Sequence, residues 1–156
     1  VLTFYRGVWC PYCNLQLKEY NDRLNEITAL GACLVAITPE KPGALDLLKS
    51  SGAADAIIAG AVTSVGFDVL HDAGNSIARQ YGLVFELPQS HRTAIAQFGV
   101  DIEVVTGDSS YTFPDPATYI IAPDGRIAWA FVPNNYRKRA EVDAITAALR
   151  ALKSGH

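Results

Sequence analysis

The first 38 residues constrain the fold most, because they are typical of a strand, a helix and a second strand in immediate succession. Residues 1–7 are mostly apolar and aromatic, and residues 32–38 form a second apolar run that Pro39 ends. Between them, residues 11–30 carry apolar side chains at spacings of three and four, which predicts a helix that Gly31 ends. Two buried strands joined by one helix pair in parallel through a right-handed crossover. The pattern therefore predicts a βαβ unit.

The rest of the chain predicts further short elements, with residues 53–65 left ambiguous. Helices are expected at residues 42–50, 75–81, 89–99 and 140–152, strands at 67–72, 118–122 and 126–132, and a turn-rich loop at 107–116. The last two strands flank Pro123-Asp124-Gly125, a turn sequence that predicts an antiparallel hairpin. This order predicts an α/β, thioredoxin-like fold, with a central mixed β-sheet flanked by helices on both faces.

Length and composition narrow the class of protein. The chain has 156 residues, of which 49% are hydrophobic and 19% are charged, so residues 1–156 are expected to form a single domain with a sizeable core. The net charge is -3 and no basic stripe occurs, which argues against a nucleic acid partner. No apolar run is long enough to predict a membrane span. The chain lacks methionine and starts inside a strand-like run, so N-terminal elements are expected to be missing.

Three cysteines are too few for a disulfide framework, which favours a reducing compartment and a cytoplasmic location. Two of them form Cys10-Pro11-Tyr12-Cys13 at the junction between the first strand and the first helix. Helix N-terminal amides stabilise a thiolate, so Cys10 is the expected nucleophile with a lowered pKa, and Arg6 adds positive potential. Cys13, one turn later, is the expected resolving thiol.

Two other interpretations of the cysteine pair are open, a structural zinc site and an inert buried pair. Zinc needs two more ligands, and Cys33, His71, His91 and His156 do not have ligand spacing. We therefore expect no metal and no bound cofactor. Cys33 is expected to be a small core residue of the second strand, and the two internal histidines are expected on the surface or in loops.

Four further features have both a structural and a functional interpretation. Pro116 is either an ordinary strand-entry proline or a cis-proline that faces the dithiol. Trp9 and Tyr12 either pack in the ordinary way or form an apolar collar that keeps water from Cys10. Glu40 follows the second strand and is expected to be a solvated loop charge. The basic run at residues 136–139 is expected to be a solvated face.

The segment Phe4–Leu17, which contains the two cysteines, resembles the signature of peroxiredoxin-like proteins of the alkyl hydroperoxide reductase/thiol-specific antioxidant superfamily. Residues 34–40, 72–82 and 116–125 resemble later segments of the same family. The resemblance implies a thiol oxidoreductase that reduces hydroperoxides or disulfides and is restored by a thioredoxin- or glutathione-type reductant. It leaves a homodimer open.

Departures from the peroxiredoxin pattern leave two alternative functions open. Peroxiredoxins place a proline seven residues and a threonine three residues before the peroxidatic cysteine, where this chain has Thr3 and Gly7. They place an arginine where this chain has Pro116. One alternative is therefore a protein thiol-disulfide reductase without substantial peroxidase activity. Another is a non-catalytic redox-sensing interaction domain.

Overall fold

The structure, a computed structural model, describes residues 1–155 and consists of seven strands, eight α-helices and one 3₁₀ turn in that part of the chain. The strands are β1 (Leu2–Phe4), β2 (Val35–Thr38), β3 (Asp68–His71), β4 (Val84–Glu86), β5 (Thr112–Pro114), β6 (Ala117–Ile121) and β7 (Ile127–Phe131). The helices are α1 (Pro11–Asp22), α2 (Leu24–Thr28), α3 (Ala44–Ser50), α4 (Asp55–Gly60), α5 (Ser76–Gln80), α6 (Gln89–Gln97), α7 (Ile102–Thr106) and α8 (Val142–Ser154). The 3₁₀ turn is Ala73–Asn75.

The main sheet has the strand order β3-β2-β1-β6-β7, with β1, β2 and β3 parallel and β6 and β7 antiparallel to their neighbours. The parallel pairing of β1 with β2 around α1 confirms the predicted βαβ unit, and the β6–β7 pair confirms the predicted hairpin. Strand β1 is the central strand of this sheet. The chain that leaves its carboxyl end therefore enters α1 above the middle of the sheet, at the ends of the strands.

Helices cover both faces of the sheet, as the thioredoxin-like pattern predicts. Phe4, Ile37 and Tyr119 pack with Ala78 of α5 on one face. On the other face, Ile120 packs with α2 and α8 residues such as Ile27 and Ile145. A third apolar cluster, around Cys10, Cys13 and Leu17 of α1, continues into α3 and α7. The dithiol therefore lies inside the core rather than on its surface.

The single helix predicted at residues 11–30 is divided at Arg23. Its backbone leaves helical geometry (φ -113°, ψ 17°), and its guanidinium contacts Glu26 of α2 and Asp143 of α8. The bend lets α2 pack against α8, a tertiary contact that periodicity along α1 does not report.

Four short elements were not predicted. Strands β4 and β5 pair with each other in a separate two-stranded sheet, and β5 lies within the region expected to be a loop. Helix α4 lies in the segment left ambiguous, and α7 begins at a capping residue, Asp101, whose carboxylate accepts from the Val104 N–H. None of the four is long enough to give a strong periodic signal.

The expectation that Cys33 is a core residue is wrong. Strand β2 begins only at Val35, and Cys33 lies exposed in the connection before it. Within residues 1–155, no helix combines the length and the apolar character that crossing a bilayer requires.

Candidate active site

The N-terminus of α1 holds both cysteines. Cys10 is the N-cap residue, and its carbonyl accepts the first helical hydrogen bond from the Asn14 N–H at 3.1 Å. Pro11 occupies the first helical position, where a missing N–H costs no hydrogen bond. Cys13 follows one turn later on the same helix. Both sulfurs are buried in the reduced pair.

Each sulfur is contacted by one arginine. Arg6, on the segment between β1 and α1, donates from Nη2 to Sγ of Cys10 at 3.2 Å. Arg139, on the segment before α8, donates from Nη2 to Sγ of Cys13 at 3.4 Å. The Arg6 guanidinium is itself buried. Two fixed positive charges beside two thiols favour a thiolate at this place.

A polar network inside α1 positions Arg139. Its Nη1 atom donates to Oε1 of Gln16 at 3.0 Å, and Gln16 in turn donates to the Tyr20 hydroxyl at 2.9 Å. The Tyr20 hydroxyl donates to the carbonyl of Ala140, the residue after Arg139, at 2.5 Å. Helix α1 therefore carries both Cys13 and the polar side chains that position Arg139 beside it. The sequence predicts a solvated face at residues 136–139, and for Arg139 that expectation is wrong.

The two thiols share a hydrogen bond and titrate as one unit. The hydrogen bond to Cys13, together with burial, raises the pKa of the Cys10 thiol. Burial opposes ionisation of Cys13, but the hydrogen bond from Cys10 and the charges of Arg139 and Arg6 outweigh it and hold the pKa of Cys13 well below its ordinary value. The reduced pair thus carries one proton and one negative charge. In this coupled pair, the lowering expected for Cys10 falls on Cys13 instead.

Aromatic side chains surround the Arg6–Cys10 contact. The Arg6 guanidinium lies 4.5 Å from the ring centroid of Tyr136 and 5.1 Å from that of Trp9. Tyr12 is 39% exposed and packs its edge against Tyr136 at 5.8 Å, whereas Trp9 is buried. Together with Arg6, Trp9, Tyr12 and Tyr136 form an aromatic layer around the site, which supports the collar interpretation.

Glu40 is a buried member of the site, although the sequence predicts a solvated loop charge there. Only 3% of the residue is exposed, and its Oε1 atom accepts from the Val8 N–H at 2.9 Å. The expectation of a solvated charge is wrong, because β2 ends at Thr38 and the chain beyond it carries Glu40 under the segment that leads to Cys10. Nothing in the local sequence distinguishes it from an exposed glutamate.

Comparison with known proteins identifies the family. Residues 1–130 match the AhpC/TSA family. The chain belongs to this family. No curated protein matches the chain significantly.

Solved peroxiredoxins share the fold of this AhpC/TSA protein. Peroxidoxin BcpB from Mycobacterium tuberculosis aligns at a TM-score of 0.60 and 19% identity, over 97% of this chain and 77% of that one. A cysteine-to-serine mutant of peroxiredoxin 6 from Arenicola marina aligns at a TM-score of 0.67 and 13% identity, over 97% of this chain and 60% of that one. A cysteine-to-serine mutant of peroxiredoxin Q from Xanthomonas campestris aligns at a TM-score of 0.56 and 18% identity, over 99% of this chain and 78% of that one. At identities this low, the structural alignments show a common fold and no more than that.

Family membership makes the protein a thiol-dependent oxidoreductase of the peroxidase class, and it implies a peroxide substrate and a thiol reductant. The family resemblance places a threonine at position 7, where this AhpC/TSA protein has glycine. A Cβ atom on Gly7 would lie 2.5 Å from Oε1 of Glu40 and 2.4 Å from Nε1 of Trp9. The space of a threonine side chain is therefore filled by the Glu40 carboxyl and the Trp9 indole.

Pro116 lies in a buried trans segment, so the cis alternative is wrong for this protein. The strand before it reaches the site through Phe113, whose ring packs edge-on against Trp9 at 5.5 Å. Asp115 is half-buried, and burial raises the pKa of its carboxyl while Arg6 lowers it. The segment thus borders the site through Phe113 and Asp115.

The remaining candidates lie away from the sulfurs. His91 is exposed with its ring 6.2 Å from that of Tyr136, and exposed His71 shares a hydrogen bond at Nδ1 with the Glu40 carbonyl. Among residues 1–155 no group of three or more His, Cys, Asp or Glu side chains is arranged to hold a metal ion. His156, considered above as a ligand, lies outside the described residues.

Proposed function

We propose that the protein reduces hydroperoxides by cycling Cys10 and Cys13 between a dithiol and an intramolecular disulfide. The observation that supports this proposal best is the arrangement of two hydrogen-bonded sulfurs, each with its own guanidinium, at the start of one helix. Arg6 supplies positive charge beside Cys10, where the threonine and arginine of the peroxiredoxin pattern are absent. Both cysteines belong to one helical turn, so no helix has to unfold for them to bond.

The first half of the cycle is attack on the peroxide. As Cys10 attacks the outer oxygen, its proton moves along the thiol hydrogen bond to the Cys13 sulfur. The S–O bond forms, the O–O bond breaks, and the alkoxide that leaves takes up a proton as the alcohol. Cys10 becomes a sulfenic acid. The Arg6 guanidinium stabilises the developing negative charge, since it is held in place and excluded from water.

The second half restores the dithiol. The Cys13 sulfur attacks the Cys10 sulfenic acid, water leaves, and the Cys10–Cys13 disulfide forms. A thioredoxin- or glutathione-type thiol then attacks this disulfide, and the reductant is oxidised as the dithiol returns. The net reaction converts a hydroperoxide and two thiols into an alcohol, water and a disulfide.

The test uses a Cys33→Ser background, because Cys33 is an exposed thiol that would confuse mass analysis. Reduced protein is mixed with hydrogen peroxide and with an organic hydroperoxide, and oxidation is followed by stopped flow and mass spectrometry. We expect a loss of two hydrogens in the parent, a stable sulfenic acid in Cys13→Ser and no rapid reaction in Cys10→Ser. Oxidation no faster than that of a free thiol would overturn the peroxidase proposal.

A second candidate is a protein disulfide reductase, favoured by Gly7 and Pro116 standing where peroxiredoxins carry their threonine and arginine. In that case Cys10 attacks a substrate disulfide, and Cys13 resolves the mixed disulfide. Offering the reduced protein a peptide disulfide beside the peroxide separates the two. Trapping of the peptide by Cys13→Ser, without a fast peroxide reaction in the parent, would establish the second candidate.

Three further expectations remain proposals. We keep residues 1–156 as a single domain and place the protein in the cytoplasm, because its dithiol needs a reducing partner. A homodimer is also kept as a proposal. The exposed side chain of Ile127 on edge strand β7 offers one surface for it. Size-exclusion chromatography with light scattering decides the oligomeric state.

A further inference from the structure

Glu40 lies between the segment that leads to Cys10 and a cleft on the protein surface. Its carboxyl accepts from the Val8 N–H and fills the space beside Gly7, so it is enclosed by the segment that leads to Cys10. On its other side, Glu40 lines a cleft of about 300 Å³ together with Tyr5, Lys41, Val62 and His71. One residue therefore borders both the Gly7–Val8 backbone that leads to the dithiol and a space that solvent enters.

The surroundings of Glu40 favour its neutral, protonated form. Among residues 1–155, no salt bridge of 4.0 Å or less is formed by its carboxylate. Burial raises the pKa of Glu40, the Val8 N–H lowers it and the negative charge of Cys13 raises it, which together bring the pKa to about 8. A carboxyl of this kind carries a proton at neutral pH.

Four other titratable side chains line the cleft with Glu40 or act on it from a neighbouring element. Tyr5 lies on the segment after β1, and burial raises the pKa of its hydroxyl, so Tyr5 stays neutral across the physiological range. Cys13 acts on Glu40 through its charge from α1. His71, at the end of β3, contacts the backbone carbonyl of Glu40 rather than its carboxyl, and Lys41 lines the same cleft. Of these groups, Cys13 is the one whose charge the redox cycle changes.

The cycle proposed above has a proton requirement that the sulfurs do not meet. The reduced pair holds one proton and one negative charge. Converting it and a hydroperoxide into a disulfide, an alcohol and water consumes one more proton. Both sulfurs are buried, which favours a proton donor among the buried groups beside the site.

We propose that the Glu40 carboxyl supplies this proton during oxidation of the dithiol and regains it from solvent in the cleft when the dithiol is restored. The O–H bond of the carboxyl breaks as the alcohol or water O–H bond forms, and Glu40 is left as a carboxylate. The inference rests on the Cys10–Cys13 disulfide of the proposed function. Oxidation removes the thiolate charge that disfavours ionisation of Glu40, so the site exchanges a buried thiolate for a buried carboxylate.

Infrared difference spectroscopy tests the exchange directly. Reduced protein at neutral pH is oxidised with diamide, which forms the disulfide without requiring peroxidase activity, and disulfide formation is checked by mass. We expect the C=O stretch of one protonated carboxyl to disappear and a carboxylate band to appear. The signal should be absent in Glu40→Gln, which keeps an oxygen to accept from Val8. It should persist in the matched control Asp115→Asn.

The outcomes separate this inference from the proposed function. A disulfide that forms without a carboxyl change in the unsubstituted protein overturns the inference and leaves the cycle intact, whether or not Glu40→Gln folds. Failure of diamide to form the disulfide overturns both. A carboxyl signal that survives Glu40→Gln assigns the proton to another group and overturns the inference.

The rate of oxidation provides a second readout that a purely structural role of Glu40 would not change. The protonated form is the donor, so the oxidation rate should fall as pH rises through about 8. In Glu40→Gln this falling limb should be lost, and the rate at neutral pH should drop by roughly 100-fold. A falling limb that remains in Glu40→Gln counts against the inference.

Discussion

Arg139 donates to the Cys13 sulfur at 3.4 Å, although 126 positions separate the two residues in the chain. The contact exists because the Tyr20 hydroxyl of α1 donates to the Ala140 carbonyl. This hydrogen bond holds the segment before α8 next to α1. The Arg139 contact places a positive charge beside Cys13, the second cysteine of the pair. The dithiol therefore differs from a cysteine pair that depends on the helix N-terminus alone.

Arg139→Met should raise the pKa at which the reduced dithiol first ionises, by roughly one unit or more, because the thiolate loses an adjacent opposite charge. Thiolate absorbance in the ultraviolet, followed during a pH titration of the Cys33→Ser protein, measures this pKa. Arg137→Met is the matched control, since Arg137 is exposed in the same basic run and contacts Tyr136 instead. An unchanged titration in Arg139→Met would contradict the electrostatic role.

Arg6→Lys should lower the rate constant for peroxide oxidation by roughly 100-fold, since lysine keeps the charge but loses the planar donor that lies between Trp9 and Tyr136. Stopped-flow fluorescence of the tryptophans under excess peroxide gives this rate constant. Arg79→Lys on α5 is the control, because Arg79 is exposed and outside the site. If both variants react at the parent's rate, Arg6 does not assist the peroxide step.

Gly7→Thr, which restores the threonine of the peroxiredoxin pattern, should destabilise this protein. The new Cβ would meet Glu40 and Trp9 at 2.5 and 2.4 Å, and overpacking of this kind costs about 1–3 kcal/mol. Chemical denaturation measures the loss in free energy of unfolding. Gly60→Ala is the control, because nothing lies within 4 Å of its added Cβ. Adding Glu40→Ala to Gly7→Thr should recover part of the loss, and full additivity of the two would argue against the clash.

The free energy of unfolding should depend on pH through Glu40. The folded pKa of this acid is raised from 4.5 to about 8, so the folded protein binds the proton more tightly than the unfolded chain. Its contribution is therefore present below pH 4.5 and is lost as pH rises to about 8, on the order of 5 kcal/mol. Urea denaturation of the reduced protein at several pH values should show this loss relative to Glu40→Gln. Parallel pH profiles for the two proteins would contradict it.

Local patterns were sufficient to predict the elements that lie nearest to Cys10. The apolar run of β1, the periodicity of α1 and the turn at Pro123-Asp124-Gly125 are encoded by neighbours in the chain, and the structure confirms them. The division of the first helix at Arg23 was not predictable in this way, because it depends on a contact with Asp143 of α8.

By itself, the sequence determined the βαβ start, the thioredoxin-like order of elements and the place of Cys10 and Cys13 at a helix N-terminus. Only the tertiary structure decided what surrounds the sulfurs: Arg139 from a run expected to be solvated, and Glu40 from a loop expected to be exposed. The physical reason is that hydrophobic periodicity reports which face of an element is buried. The charge beside a buried thiol depends instead on which distant segments pack against it, and that is set by the fold as a whole.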